Sequence, residues 1–82
     1  MNNVDLRVLA VRFLLAETSK IRGRPHELSF SAKQVSVAVG GYAGALGQVA
    51  ALVSADLCSM GVACKYFRDR KPTVFVLSLV DD

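Results

Sequence analysis

Between Gln34 and Ala55 the chain carries no Lys, Arg, Asp, Glu or His. A stretch this long and this uncharged, QVSVAVGGYAGALGQVAALVSA, allows few structures. It can span a membrane. It can form a strand, a glycine loop and a helix that together cradle phosphate. It can form two helices joined by a glycine turn. Each alternative implies different chemistry, and the flanking sequence decides among them.

Length and composition set the frame. A chain of 82 residues holds one domain, residues 1–82, with a modest core. Hydrophobic residues make up 52% and charged residues 21%, a balance that suits a folded chain. The net charge of +3 permits an acidic partner without specifying one. Cys58 and Cys64 are too few for a disulfide scaffold, and no secretory signal precedes them. Arg7 and Arg12 interrupt the apolar run at 6–16 too early for a signal-peptide core. Both thiols are therefore expected to be reduced, in a cytoplasmic protein, and to pack as small buried hydrophobes.

Residues 4–20 read as a first helix. Leu6, Leu9, Ala10 and Phe13, with Val4, Val8, Val11 and Leu15 beside them, form a broad stripe at helical spacing. Asn2 or Asn3 can cap its start, Asp5 suits the helix dipole, and Gly23 and Pro25 end it. Leu28-Ser29-Phe30 is a very short strand. Ser31 with Gln34 matches a capping box for a helix over 32–39, which Gly40 and Gly41 break. A longer helix follows from Tyr42 or Ala43 to Met60, with Leu46, Val49, Ala50, Val53, Leu57 and Met60 facing the core. Gly61 stands where a left-handed cap belongs. Residues 62–68 and 73–80 form a hairpin in which Tyr66 opposes Phe75, Cys64 opposes Leu77 and Val62 opposes Leu79. Lys65, Phe67, Val74 and Val76 fall on its other face.

The membrane alternative fails on composition. Gln34, Ser36, Gln48, Ser54 and four glycines interrupt the stretch, and strongly inserting Leu, Ile and Phe are nearly absent. The phosphate-loop alternative fails on spacing. Glycines at 40, 41, 44 and 47 do not give G-x-G-x-x-G, since Tyr42 stands at the second required position. There is no G-K-[ST], and a tight hairpin follows where a parallel crossover is needed.

Two helices about a glycine turn remain. Here the chain resembles the winged helix-turn-helix family over nearly its whole length: helix, short strand, helix, glycine turn, helix, hairpin. With Gly40 as the family's turn glycine, the apolar positions around it hold Val35, Val39, Leu46 and Val49, and Ser36 fills the small-residue position. Gly41 departs from the apolar residue usual there. The resemblance implies an α+β fold of three helices and a small antiparallel hairpin wing. It implies double-stranded DNA as partner, with the third helix in the major groove and the wing on the backbone or minor groove.

On that basis Arg68, Arg70 and Lys71 at the wing tip are the candidate phosphate contacts, helped by Lys33. Lys20, Arg22 and Arg24 form a second basic cluster that the sequence does not place. Tyr42 and Gln48 face the groove. The outward face of the third helix (Tyr42, Ala43, Gly44, Gly47, Gln48, Ala51) carries no Arg or Lys, so sequence readout is expected to be weak. That same smooth face supports a different reading, a homodimer or a protein-interaction module that does not bind DNA. Exposed Phe67, Val74 and Val76 on the hairpin point the same way. Enzymatic chemistry is not expected, because Glu17, Glu27 and His26 form no catalytic spacing. With one histidine and no CxxC, no metal site is expected; nor is a cofactor, a small-molecule ligand or a membrane partner.

Overall fold

Local signals set where the chain turns. The Asn2 side chain accepts a hydrogen bond from the Asp5 backbone N–H at 2.8 Å and starts α1, Asn3–Glu17. The Ser31 hydroxyl accepts from the Gln34 N–H at 3.2 Å while the Gln34 side chain accepts from the Ser31 N–H at 2.8 Å. This reciprocal pair opens α2, Ala32–Val39. Gly40, at φ 85°, ends α2 in the left-handed region that favours glycine. Gly61, at φ 86°, does the same after α3, Ala43–Ser59. The computed structural model describes residues 2–20, 27–41, 43–69 and 72–79.

The architecture is α+β: three helices and one three-stranded antiparallel sheet. The strands are β1 (Leu28–Ser31), β2 (Val62–Phe67) and β3 (Val74–Leu79), in spatial order β1-β3-β2. The expected register holds: Val62 faces Leu79, Cys64 faces Leu77 and Tyr66 faces Phe75. The expected two-stranded wing is corrected. Leu28–Ser31 pairs along the free edge of β3, with Phe30 opposite Phe75, so the sheet has three strands. A further hydrogen bond, from the Ala32 N–H to the Thr73 carbonyl at 2.6 Å, carries that pairing into the first residue of α2.

The first helix ends earlier than its apolar pattern suggests. After Glu17 the chain tightens into a 3-10 turn, Thr18–Lys20, as the Thr18 hydroxyl donates to the Leu15 carbonyl at 2.6 Å. Its buried face is Leu6, Ala10, Val11 and Leu14, and Val4 and Val8 stand 70% and 49% exposed. Apolar residues surround most of this helix, so the pattern alone does not select the face. On α3, Leu46, Val49, Ala50, Val53 and Leu57 are buried as expected, whereas Met60 lies past the last helical turn and is exposed. Cys58 is also exposed, against expectation; Cys64 is buried, and both are free thiols. Burial pushes the Cys64 thiol up to about 11, so it stays protonated at neutral pH. Phe67, Val74 and Val76 are half-buried rather than exposed.

The core lies between the helices and one sheet face. Phe75, Leu77, Leu14, Leu46, Leu57, Val35 and Val53 are its largest fully buried side chains. Ser54 is buried among them, and its hydroxyl donates to the Cys64 carbonyl, joining α3 to β2. Phe13 on α1 meets Phe30 on β1 edge-to-face at 5.7 Å. Nearer the surface, Arg7 on α1 donates two hydrogen bonds of 2.7 Å to the Asp56 carboxylate on α3. The Arg7 hydrogen bonds hold the Asp56 carboxyl below the usual carboxylate range, against a smaller opposing desolvation. A lowered folded-state pKa adds stability above the unfolded value of 3.8 and loses it as pH falls through the folded value. Asp56→Asn is therefore expected to lower Tm at pH 7. Thermal melts should show that difference shrinking steadily below the unfolded value; a gap that persists in acid would show that the ion pair contributes nothing.

Among the described residues no single helix is long and apolar enough to cross a membrane. Instead the uncharged stretch breaks after Gly40, and α3 leaves α2 at a bend of 100°.

Candidate interface on the third helix

Seven positions of α3 face inward: Ala45, Leu46, Val49, Ala50, Val53, Ser54 and Leu57. The helical period then turns Gly44, Gln48 and Ala51 outward, and all three are exposed. Ala43 and Gly47, expected on the same face, are half-buried. Ala43 packs against the core. Gly47 has a steric reason to be glycine. A Cβ there would stand 3.1 Å from the Thr73 Oγ1, so the missing side chain lets α3 lie against the base of β3. Mid-helix glycine costs about 1 kcal/mol relative to alanine, and here it allows close approach.

Arg68 closes the arrangement. It follows the last residue of β2, and its guanidinium reaches back over α3. Nε donates to the Gly47 carbonyl at 3.1 Å, and one terminal nitrogen donates to the Gln48 carbonyl at 3.5 Å. Helix carbonyls have two lone pairs, so they accept these bonds while keeping their intrahelical ones. The same guanidinium lies 5.4 Å from the centre of the Tyr66 ring. These contacts orient the Arg68 guanidinium and leave further N–H donors from its five.

Gly44, Gly47, Gln48, Arg68 and Thr73 thus line an open groove where α3 meets the hairpin. Among the described residues Arg68 is its one charged lining residue. The groove offers an amide, fixed guanidinium donors and a floor without bulky side chains. The Thr73 carbonyl bonds the Ala32 N–H, which brings the start of α2 to the groove wall. Lys33, the next residue, is exposed.

Of the residues expected from sequence, Gln48 and Arg68 are brought together, and Lys33 lies one residue from the groove wall. Tyr42, Arg70 and Lys71 lie outside the described residues, as do Arg22, Arg24 and His26. Lys20 is exposed and pairs with Glu17 at 2.7 Å. Sequence reasoning missed Thr73 and Tyr66. Tyr66 was within reach of it, because residues two apart share one face of a strand and Tyr66 and Arg68 have that spacing. The Thr73 contact joins distant segments and has no local signal. Among the described residues no group of three or more His, Cys, Asp or Glu side chains is placed to hold a metal ion.

Comparison with protein-family models, with curated proteins and with solved structures gives no match.

Proposed function

We propose that this chain is a winged helix-turn-helix domain that binds double-stranded DNA in the cytoplasm, as a small transcriptional regulator rather than an enzyme. The observation that carries the reading is the groove in which exposed Gln48 of α3 and the anchored Arg68 of the hairpin lie together. Two features of the fold support it. The 100° bend between α2 and α3 falls within the range of about 90–120° usual for a helix-turn-helix. The hairpin of β2 and β3 stands beside α3, where a wing is placed. Gln48 presents an amide suited to an adenine edge. Arg68 and exposed Lys33 supply cations for phosphates, and Arg70, Lys71 and Tyr42 are further candidate contacts read from the sequence. The Gly44 and Ala51 surface contributes no base-reading group, so sequence discrimination is weak.

The test is fluorescence anisotropy of labelled duplex against protein at several salt concentrations. Affinity should fall steeply with salt. Arg70→Ala with Lys71→Ala should weaken binding and reduce the log–log salt slope by about 2. Absence of binding even at low salt would remove the DNA reading.

A second reading has its own observation. Leu52, one position beyond Ala51, is 48% exposed, and with Gly44 and Ala51 it leaves this side of α3 uncharged and partly apolar. Such a face suits a protein partner. Under that reading the Arg70/Lys71 double substitution leaves partner binding intact.

A further inference from the structure

The hairpin carries an aromatic ring that the core uses only in part. Tyr66 is half-buried, packs against the core and pairs with Phe75 in the sheet. Arg68, two residues on, is exposed, and its guanidinium carbon stands 5.4 Å from the centre of the Tyr66 ring. A ring face attracts a cation within about 6 Å. Two helix carbonyls make the other contacts, Gly47 at 3.1 Å and Gln48 at 3.5 Å, and the longer one is weak. Among the described residues no carboxylate pairs with Arg68. The choice of partners matters chemically. A carboxylate would neutralise the guanidinium. A ring and two neutral carbonyls orient it and leave its positive charge to an outside anion.

We infer that Tyr66 is a positioning residue of the groove: its ring, not its hydroxyl, keeps the Arg68 guanidinium beside Gln48 and aligned for an anion. That anion is a duplex phosphate, and to this extent the inference rests on the DNA reading. The positioning itself belongs to the free chain. A surface arginine without such contacts samples many rotamers and gives up that freedom on binding. The Tyr66 ring reduces this loss beforehand. An exposed cation–ring contact changes an equilibrium by a factor of about two to five.

Nitrogen-15 NMR of the arginine side chains reads the positioning in the free chain. The Arg68 Nε–H signal should be displaced by the ring current of Tyr66. Tyr66→Phe should keep that displacement, and Tyr66→Leu, which retains apolar contact with the core, should abolish it. Anisotropy titrations at fixed low salt then read the consequence, with urea midpoints as the control for folding. Tyr66→Phe should bind duplex as the parent does, and Tyr66→Leu about two- to fivefold more weakly. In an Arg68→Ala background Tyr66→Leu should have no further effect. An Arg68 signal that Tyr66→Leu leaves in place would overturn the inference. So would an equal loss of affinity in the Arg68→Ala background, which is the mark of a merely structural role, or a loss in Tyr66→Phe as large as in Tyr66→Leu. Spectra that change as expected in a chain that binds no duplex would uphold the positioning and remove the DNA reading, so the two fail separately.

Discussion

Phe75→Ala is expected to remove much of the stability of the fold. Phe75 is fully buried near the start of the central strand, and it pairs with Phe30 on β1 and Tyr66 on β2. Its ring therefore fills the row where both strand pairs meet the helices. Truncation to alanine removes most of that apolar surface and leaves a cavity that three antiparallel strands cannot close by sliding. Phe→Ala changes at such sites cost about 3–5 kcal/mol. A domain of this size is stable by about 4–12 kcal/mol, so a large share is lost. Urea unfolding followed by circular dichroism should show the midpoint falling by a third or more. A midpoint within a tenth of the parent value would mean that Phe75 is not the keystone of the sheet.

The second large effect concerns binding. Arg68→Glu is expected to lower duplex affinity by about 30–100-fold at low salt while leaving the chain folded. The substitution removes the groove's cation and places a carboxylate beside the Gly47 and Gln48 carbonyls that Arg68 now bonds. The side chain is exposed, so the folded state should lose only about 1 kcal/mol. Arg68→Lys separates charge from shape, since lysine keeps the charge but lacks the planar fork whose two nitrogens reach the Gly47 and Gln48 carbonyls. It should fall between parent and Arg68→Glu. Anisotropy titrations at fixed salt, with urea midpoints as the control for folding, give the comparison. If Arg68→Glu binds duplex as the parent does, the groove is not the DNA-binding surface, and the protein-partner reading gains.

What could be read in the sequence was whatever short-range chemistry determines. The Ser31 and Gln34 exchange, the left-handed glycines at 40 and 61 and the bounds of α2 all depend on residues within a few positions of one another. The hairpin register was legible too, because one turn joins its strands and the alternation of Val62, Cys64 and Tyr66 admits one inward face. Reasoning failed where distance in sequence is large. Nothing near Leu28 reveals that it pairs with Leu77. Nothing near Gly47 reveals Thr73. The face of α1 was legible only in part: Leu6 and Ala10 are buried and Phe13 packs on the core as expected, but valines and leucines lie nearly all round the helix, and only packing decided that Leu14 goes in and Val8 stays out. The candidate site was legible at Gln48 and Arg68, but the tie of Arg68 to the α3 carbonyls was not. That tie changes its role from a mobile cation at a turn to a fixed one.

The sheet's middle strand is also the last of the three in chain order. Until Val74–Leu79 has been synthesised, β1 and β2 have no neighbour, for each bonds only to β3. The Leu28–Leu77 pairing spans most of the chain, so a polypeptide still emerging from the ribosome carries two strands with unmatched edges and a helix trio without its floor. Assembly of the sheet must then wait for nearly the whole domain. Partial products cut before Thr73 have no route to it and should be prompt substrates for proteases.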